Sequence, residues 1–231
     1  MLIKQRQIYF FIASMIVMVA PSSFAKAPKK TLKADIKTYP LLEETTKRYR
    51  TSPMISMELE KTVKESVMGS VRKSSGSIDL AAGLFRMEIR EPDKSLTVFD
   101  GKILWNEQSP PVEFPGPVQV SKLAIDKKND AQVLLADLLT KDKVSKNFRV
   151  IGQEKVNDVV IYRAEPLKKD FPFQSVAISI LGKSKVISEI SYEDDLQNIT
   201  TMAFSKTQFK DQINKKTFSY KPPKGAQVNE K

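Results

Sequence analysis

Phe85-Arg86-Met87-Glu88-Ile89-Arg90-Glu91-Pro92, followed closely by Ser95-Leu96-Thr97-Val98-Phe99-Asp100-Gly101-Lys102-Ile103-Leu104-Trp105, decides how this chain folds. Phe85, Met87 and Ile89 alternate with Arg86, Glu88 and Arg90. That period of two belongs to a strand with one apolar and one charged face. Pro92-Asp93 interrupts the run, and Asp100-Gly101 is a tight-turn pair before a third apolar segment. The stretch predicts three antiparallel strands joined by short turns. Asp100 reads as a turn former that bonds its own backbone. It does not read as a catalytic acid, because no histidine or second motif acid accompanies it.

The pattern extends in both directions. In residues 55–64, Ile55, Met57, Leu59, Lys61 and Val63 form a mostly apolar face opposite the fully polar Ser56, Glu58, Glu60, Thr62 and Lys64. Residues 67–79 continue as a strand, with Gly69 and Gly76 expected as bulges or bends. Upstream, Pro40 suits the first turn of a helix over 41–49, with Leu42, Thr46 and Tyr49 on one side. Pro53 requires it to end by Ser52. Downstream, Pro110, Pro111, Pro115 and Pro117 make 108–128 a loop, with a short turn near 118–123. Residues 130–139 form the clearest helix, with Leu134, Leu135, Leu138 and Leu139 on one broad face.

Strands are then predicted over 148–154, 156–164, 175–181, 186–192 and 199–206. Polar connections at 152–157 and 182–185 argue for hairpins. Residues 209–218 are irregular, and 220–228 is an extended tail packing as an edge. The total is about nine to eleven strands with two helices and no strand–helix–strand rhythm, so the sheet is expected to be antiparallel. The best fit is mainly β (α+β): one strongly curved sheet with helices against its concave face. A flat two-layer sandwich is the second reading.

The N-terminus carries an address. Lys4 and Arg6 precede an apolar run over 8–20 broken by Ser14, and a small-residue exit ends at Ala25. These features predict a signal peptide over 1–25 and one domain over 26–231. The run is short against the about 20 residues of a bilayer span. No cysteine follows it, so an acylated N-terminus is not expected. The chain has neither cysteine nor histidine. Disulfides, thiol chemistry, the usual zinc ligand sets and histidine-based catalysis are thereby excluded. No cofactor and no enzymatic activity are expected. The net charge of +11 suits acidic partners or anionic headgroups. Export argues against nucleic acid.

Long, flexible or aromatic side chains fill the apolar strand faces. Met57, Phe85, Met87, Ile89, Phe99, Trp105, Met202 and Phe204 are the candidate walls of a pocket, and Leu134, Leu135 and Leu138 its cover. Methionine adapts to cargo of varied shape and aromatics contribute large apolar area, which suits acyl chains. Each of these residues also has the plain reading of a filled core.

Several of these segments, in order, resemble the periplasmic lipoprotein carriers of the LolA family. The resemblance rests on the 85–92 segment, Asp100-Gly101-Lys102 with Leu104-Trp105, and the leucine-rich helix. It also rests on the closing Phe218, Tyr220, Pro222-Pro223, Gly225 and Val228. It implies an incomplete, strongly curved antiparallel β-barrel with a helical lid over an apolar cavity. It implies a monomeric, non-enzymatic periplasmic chaperone. Such a protein takes acylated lipoproteins from an inner-membrane ATP-driven release complex, shields their acyl chains, and passes them to an outer-membrane receptor lipoprotein. A periplasmic lipid- or glycolipid-binding, envelope-sensing module of the same fold is the alternative. Ala81 stands where the best-known members carry a gating arginine, and Ala82 where a proline is expected. Arg86 and Arg90 are the candidate gating or hand-off cations in its place.

Overall fold

The computed structural model describes residues 38–124, 136, 139–141, 143–168 and 171–230, all within the compact unit that begins at Thr38. The expected signal peptide over 1–25 lies outside them. So do Leu134, Leu135 and Leu138.

Helix α1 (Pro40–Thr51) opens this unit. Proline at its start, Glu43 in the first turn and Arg48 and Arg50 in the last complement the helix ends. Leu42, Thr45, Thr46 and Tyr49 are its buried side, the i, i+3, i+4, i+7 stripe of an amphipathic helix. The helix stops where Ser52, the residue before Pro53, folds back onto the Arg48 carbonyl. The Ser52 N–H donates at 3.2 Å and its Oγ at 2.8 Å.

Twelve strands follow: β1 (Met54–Lys64), β2 (Val71–Ala81), β3 (Leu84–Glu91), β4 (Ser95–Phe99), β5 (Ile103–Gln108), β6 (Gln119–Ala124), β7 (Phe148–Val156), β8 (Val159–Pro166), β9 (Ser175–Leu181), β10 (Val186–Glu193), β11 (Ile199–Lys210) and β12 (Gln227–Glu230). A four-residue helix, α2 (Val144–Asn147), leads into β7, and a 3-10 turn (Lys215–Phe218) follows β11. All strands join one open sheet in the order β12-β6-β5-β4-β3-β2-β1-β11-β10-β9-β8-β7. The two-layer sandwich is therefore excluded. Every pair is antiparallel except β12 with β6, which is parallel.

The central strands follow their alternation. β3 buries Phe85, Met87 and Ile89 and leaves the residues between them at the other face. Asp100 acts as the expected turn former: its Oδ1 accepts from the N–H groups of Lys102 at 2.9 Å and Ile103 at 2.8 Å. Gly101 supplies the positive φ of +97° that this turn requires. Gly76 sits at a bulge in the β2–β3 pairing, where a Cβ would lie 1.9 Å from the Glu88 carbonyl oxygen.

Four details differ from the sequence reading. Residues 119–124 form strand β6 rather than a turn, because β5 and β12 satisfy its two backbone edges. Gly69, at φ +64°, belongs to the turn before β2 and not to a strand bulge. Gly152 lies inside β7 at a register shift, and the hairpin turns instead at Asn157-Asp158. β11 runs on to Lys210, because β1 pairs with it as far as Met54.

The sheet curves. β10 and β3 are four inter-strand steps apart, about 19 Å in a flat sheet. Yet Ile190 of β10 and Phe85 of β3 border one small cavity. The concave face holds the main core, into which α1 packs through Leu42 and Tyr49. Tyr49 meets Phe209 edge-on at 5.1 Å, and its Oη accepts from the Ile187 N–H at 3.0 Å. The outer face carries a second, smaller cluster: Met54, Ala81 and Phe218, with Leu84 against them.

Candidate functional site

The cavity on the concave face measures about 20 Å³, and among the described residues its lining side chains are all apolar. Four strands and one helical stretch build it. Ile78 and Leu80 come from β2, Phe85 and Met87 from β3, Ile190 from β10, and Met202 and Phe204 from β11. Ala136 and Leu139, both helical, close it. Register explains the wall: Ile78 pairs with Met87 and Leu80 with Phe85, and directly paired residues share a face. Its volume is roughly that of one water site, far short of an acyl chain.

The helical stretch is fastened at its far end. The buried Gly83 N–H, in the β2–β3 turn, donates to Thr140 Oγ1 at 3.3 Å. Thr140 Oγ1 in turn donates to the Ala136 carbonyl at 2.7 Å. One hydroxyl thus joins the helical stretch to the hairpin that carries Phe85.

Of the residues singled out from the sequence, Phe85, Met87, Met202 and Phe204 line this cavity. Met57, Ile89 and Phe99 lie in the same buried core without bordering the space. Trp105 does not join them. It pairs across the sheet with Val98, whose neighbour in β3 is Arg86, so all three occupy the outer face. There Trp105 packs against Tyr220 at 5.3 Å, with the Lys122 ammonium 5.8 Å from its ring centre. Arg86 and Arg90 also point away from the cavity. Arg86 pairs with Glu88 at 3.3 Å, and Arg90 with Glu58 at 2.5 Å while donating to the Gly76 carbonyl at 3.0 Å. Ala81 is buried outward against Phe218, not toward the cavity. Period-two alternation explains each placement: neighbours of an inward residue face out.

Ile78, Leu80, Ala136, Leu139 and Ile190 line the cavity but were not among the candidates. Carrying the alternation of β3 across its register to β2 would have found Ile78 and Leu80. Ile190 needed the curvature, which no local pattern encodes.

Beyond Met87 the concave face changes chemistry. Thr97, Asn106, Ser121 and Asn229 continue the Met87 row across β4, β5, β6 and β12. An open space of about 390 Å³ lies over them. Among the described residues, no helix is long and apolar enough to cross a membrane.

The family model for "Outer membrane lipoprotein carrier protein LolA" matches residues 54–221. The match runs from the start of β1 to just past Tyr220 and leaves α1 and β12 outside it. An outer-membrane lipoprotein carrier protein of Chromobacterium violaceum is 26% identical over 178 residues, covering 77% of this chain and 81% of that protein. One of Azotobacter vinelandii is 25% identical over 162 residues, covering 68% and 72%. Among solved structures, a LolA superfamily protein from Nitrosomonas europaea is similar at a TM-score of 0.42 and 12% identity, over 80% of this chain and 98% of that one.

Proposed function

The chain belongs to the outer membrane lipoprotein carrier protein LolA family, and from that membership we propose that it binds the acyl chains of lipoproteins and carries them through the periplasm. The observation that supports this most is the cavity, whose described lining is apolar and includes the helical Ala136 and Leu139.

At about 20 Å³ the cavity is too small for an acyl chain. Phe85, Met87, Met202 and Phe204 fill the space that cargo would take. Loading then requires Ala136 and Leu139 to withdraw so that acyl chains replace them against the strands. Each methylene removed from water contributes about 0.8 kcal/mol, so a few chains offset the loss of that packing. Affinity stays well below the full sum, because the opening and the ordering of cargo are subtracted from it. Release is favoured by the same term, since the cover closes again over the emptied wall. The chemistry is binding and shielding, with no covalent step. Cargo would come from an ATP-driven release complex of the inner membrane and go to a receptor lipoprotein at the outer membrane.

The test is retention of a purified lipoprotein in its acylated and unacylated forms. The acylated form is expected to bind and the unacylated form not. Equal retention of both, or of neither, would sink the carrier reading. Phe85→Glu places an unpaired carboxylate on the apolar wall and is expected to abolish loading.

A further inference from the structure

The concave face has two chemistries, and the second has no place in acyl binding. Along the row that starts with Met87, the register leads to Thr97, Asn106, Ser121 and Asn229. A parallel row starts from Ile89 and leads to Ser95, Gln108, Gln119 and Gln227. All of these polar residues but Gln227 line the open space of about 390 Å³, together with Glu107 and Val120. None of the eight carries a charge in a chain of net charge +11. Glu107 borders the same space, but its carboxylate is taken by the Tyr220 hydroxyl at 2.6 Å on the outer face.

Part of this set is paired internally. Thr97 Oγ1 donates to Asn106 Oδ1 at 2.9 Å, and Gln119 Nε2 to Gln227 Oε1 at 2.8 Å. These bonds fix the amides and leave the Asn106 and Gln227 amino groups and the Gln119 carbonyl directed elsewhere. Gln108, Ser121 and Asn229 have no side-chain partner among the described residues. A carboxamide offers one acceptor and two donors in a plane, the same set a peptide group must satisfy. From β4 to β12 is three inter-strand steps, about 14 Å, the length of about four residues of extended chain.

We propose that this trough is a second subsite, which holds the extended peptide segment adjoining the acylated end of a bound lipoprotein through backbone hydrogen bonds. The proposal rests on the carrier reading. The acyl chains would lie against β2, β3, β10 and β11, and the peptide would leave across β4, β5 and β6 to the β12 edge of the sheet. Recognition through backbone groups makes the subsite indifferent to the side chains of the cargo, and the lack of charge makes it indifferent to their sign.

The experiment measures binding of three synthetic ligands with identical acyl chains: a lipid ending at an amidated cysteine, the same lipid extended by four residues, and that extension N-methylated on its backbone. Two or three added hydrogen bonds are expected to tighten the extended ligand by about tenfold to a hundredfold over the short one. N-methylation is expected to remove the gain, and changing the four side chains to leave it intact. In the variant Asn106→Ala/Ser121→Ala the gain is expected to fall to less than about threefold while the short lipid binds as before. Equal affinity for all three ligands, or a gain that follows side-chain identity, overturns the trough but leaves acyl binding standing. A sugar-headed lipid of the same chains that gains as much as the peptide assigns the trough to carbohydrate and overturns the proposal. Binding of none of them removes the carrier reading itself. The N-methylated ligand acts on the unaltered protein, so the result does not depend on the variant folding.

Discussion

Tyr49 is fully buried between α1 and the sheet, and burial pushes its phenol above the ordinary value of 10.0; the hydrogen bond from the Ile187 N–H offsets part of that rise. The unfolded chain therefore loses this proton near pH 10 while the folded chain keeps it. The stability Tyr49 contributes is fully present below about pH 10 and is lost as pH rises through the folded value. The urea midpoint is expected to fall less between pH 9 and pH 11 in Tyr49→Phe than in the parent, and parallel slopes would refute this. One turn away, Thr45 shows the opposite situation. Its side chain is 0% exposed and its Oγ1 has no hydrogen-bond partner among the described residues. Thr45→Val keeps the shape and removes an unsatisfied hydroxyl. It is expected to raise stability by about 1 kcal/mol, read as a higher denaturant midpoint. Thr46, beside it, donates to the Leu42 carbonyl at 2.8 Å and is expected to gain nothing from the same change.

Among the elements, the helical residues Ala136 and Leu139 border the cavity, and Thr140 follows them. Among the described residues, a hydrogen bond at Thr140 Oγ1 joins this stretch to the β2–β3 turn. Thr140→Val leaves the buried Gly83 N–H without its acceptor, which costs about 1–3 kcal/mol. In that variant the amides of residues 139–141 are expected to exchange faster, with the β3 amides unchanged. Acyl-chain uptake is expected to quicken, because the closed form has lost stability relative to the open one. Unaltered exchange and uptake would show that packing of Leu139 alone holds the stretch. Nothing in the local pattern of Thr140 marks it for this task. It matters only because the fold brings residue 83 to residue 140.

At the scale of the molecule, one open sheet serves two tasks with its two faces. The concave face holds the cavity and the trough. The outer face is spanned by the C-terminal segment, which sets Phe218 over Met54 and Ala81, Tyr220 over Trp105, and β12 beside β6. That covering explains why strand residues such as Val98 and Leu104 are both buried although they face opposite ways. A cavity of about 20 Å³ cannot admit an acyl chain without rearrangement. Saturation with an acylated lipopeptide is therefore expected to raise the thermal midpoint by mass action while amide exchange at residues 139–141 increases. A rise in midpoint with those amides still protected would mean that cargo binds elsewhere.

The alternation of residues 85–90, the Asp100-Gly101 turn, the proline at the start of α1 and the absence of cysteine and histidine are local facts, and they determined the strands, the first helix and the lack of thiol and imidazole groups. Side-chain parity even assigned Phe85 and Met87 to one face and Arg86 and Arg90 to the other. Which face became the cavity, and that Trp105 lies outside it, was decided by curvature and by the C-terminal segment. Those depend on residues far apart in the chain coming together, such as Phe85 and Met202 around one cavity and Trp105 against Tyr220. A period-two pattern states that two faces differ. Only the curvature of the sheet states which of them is inside.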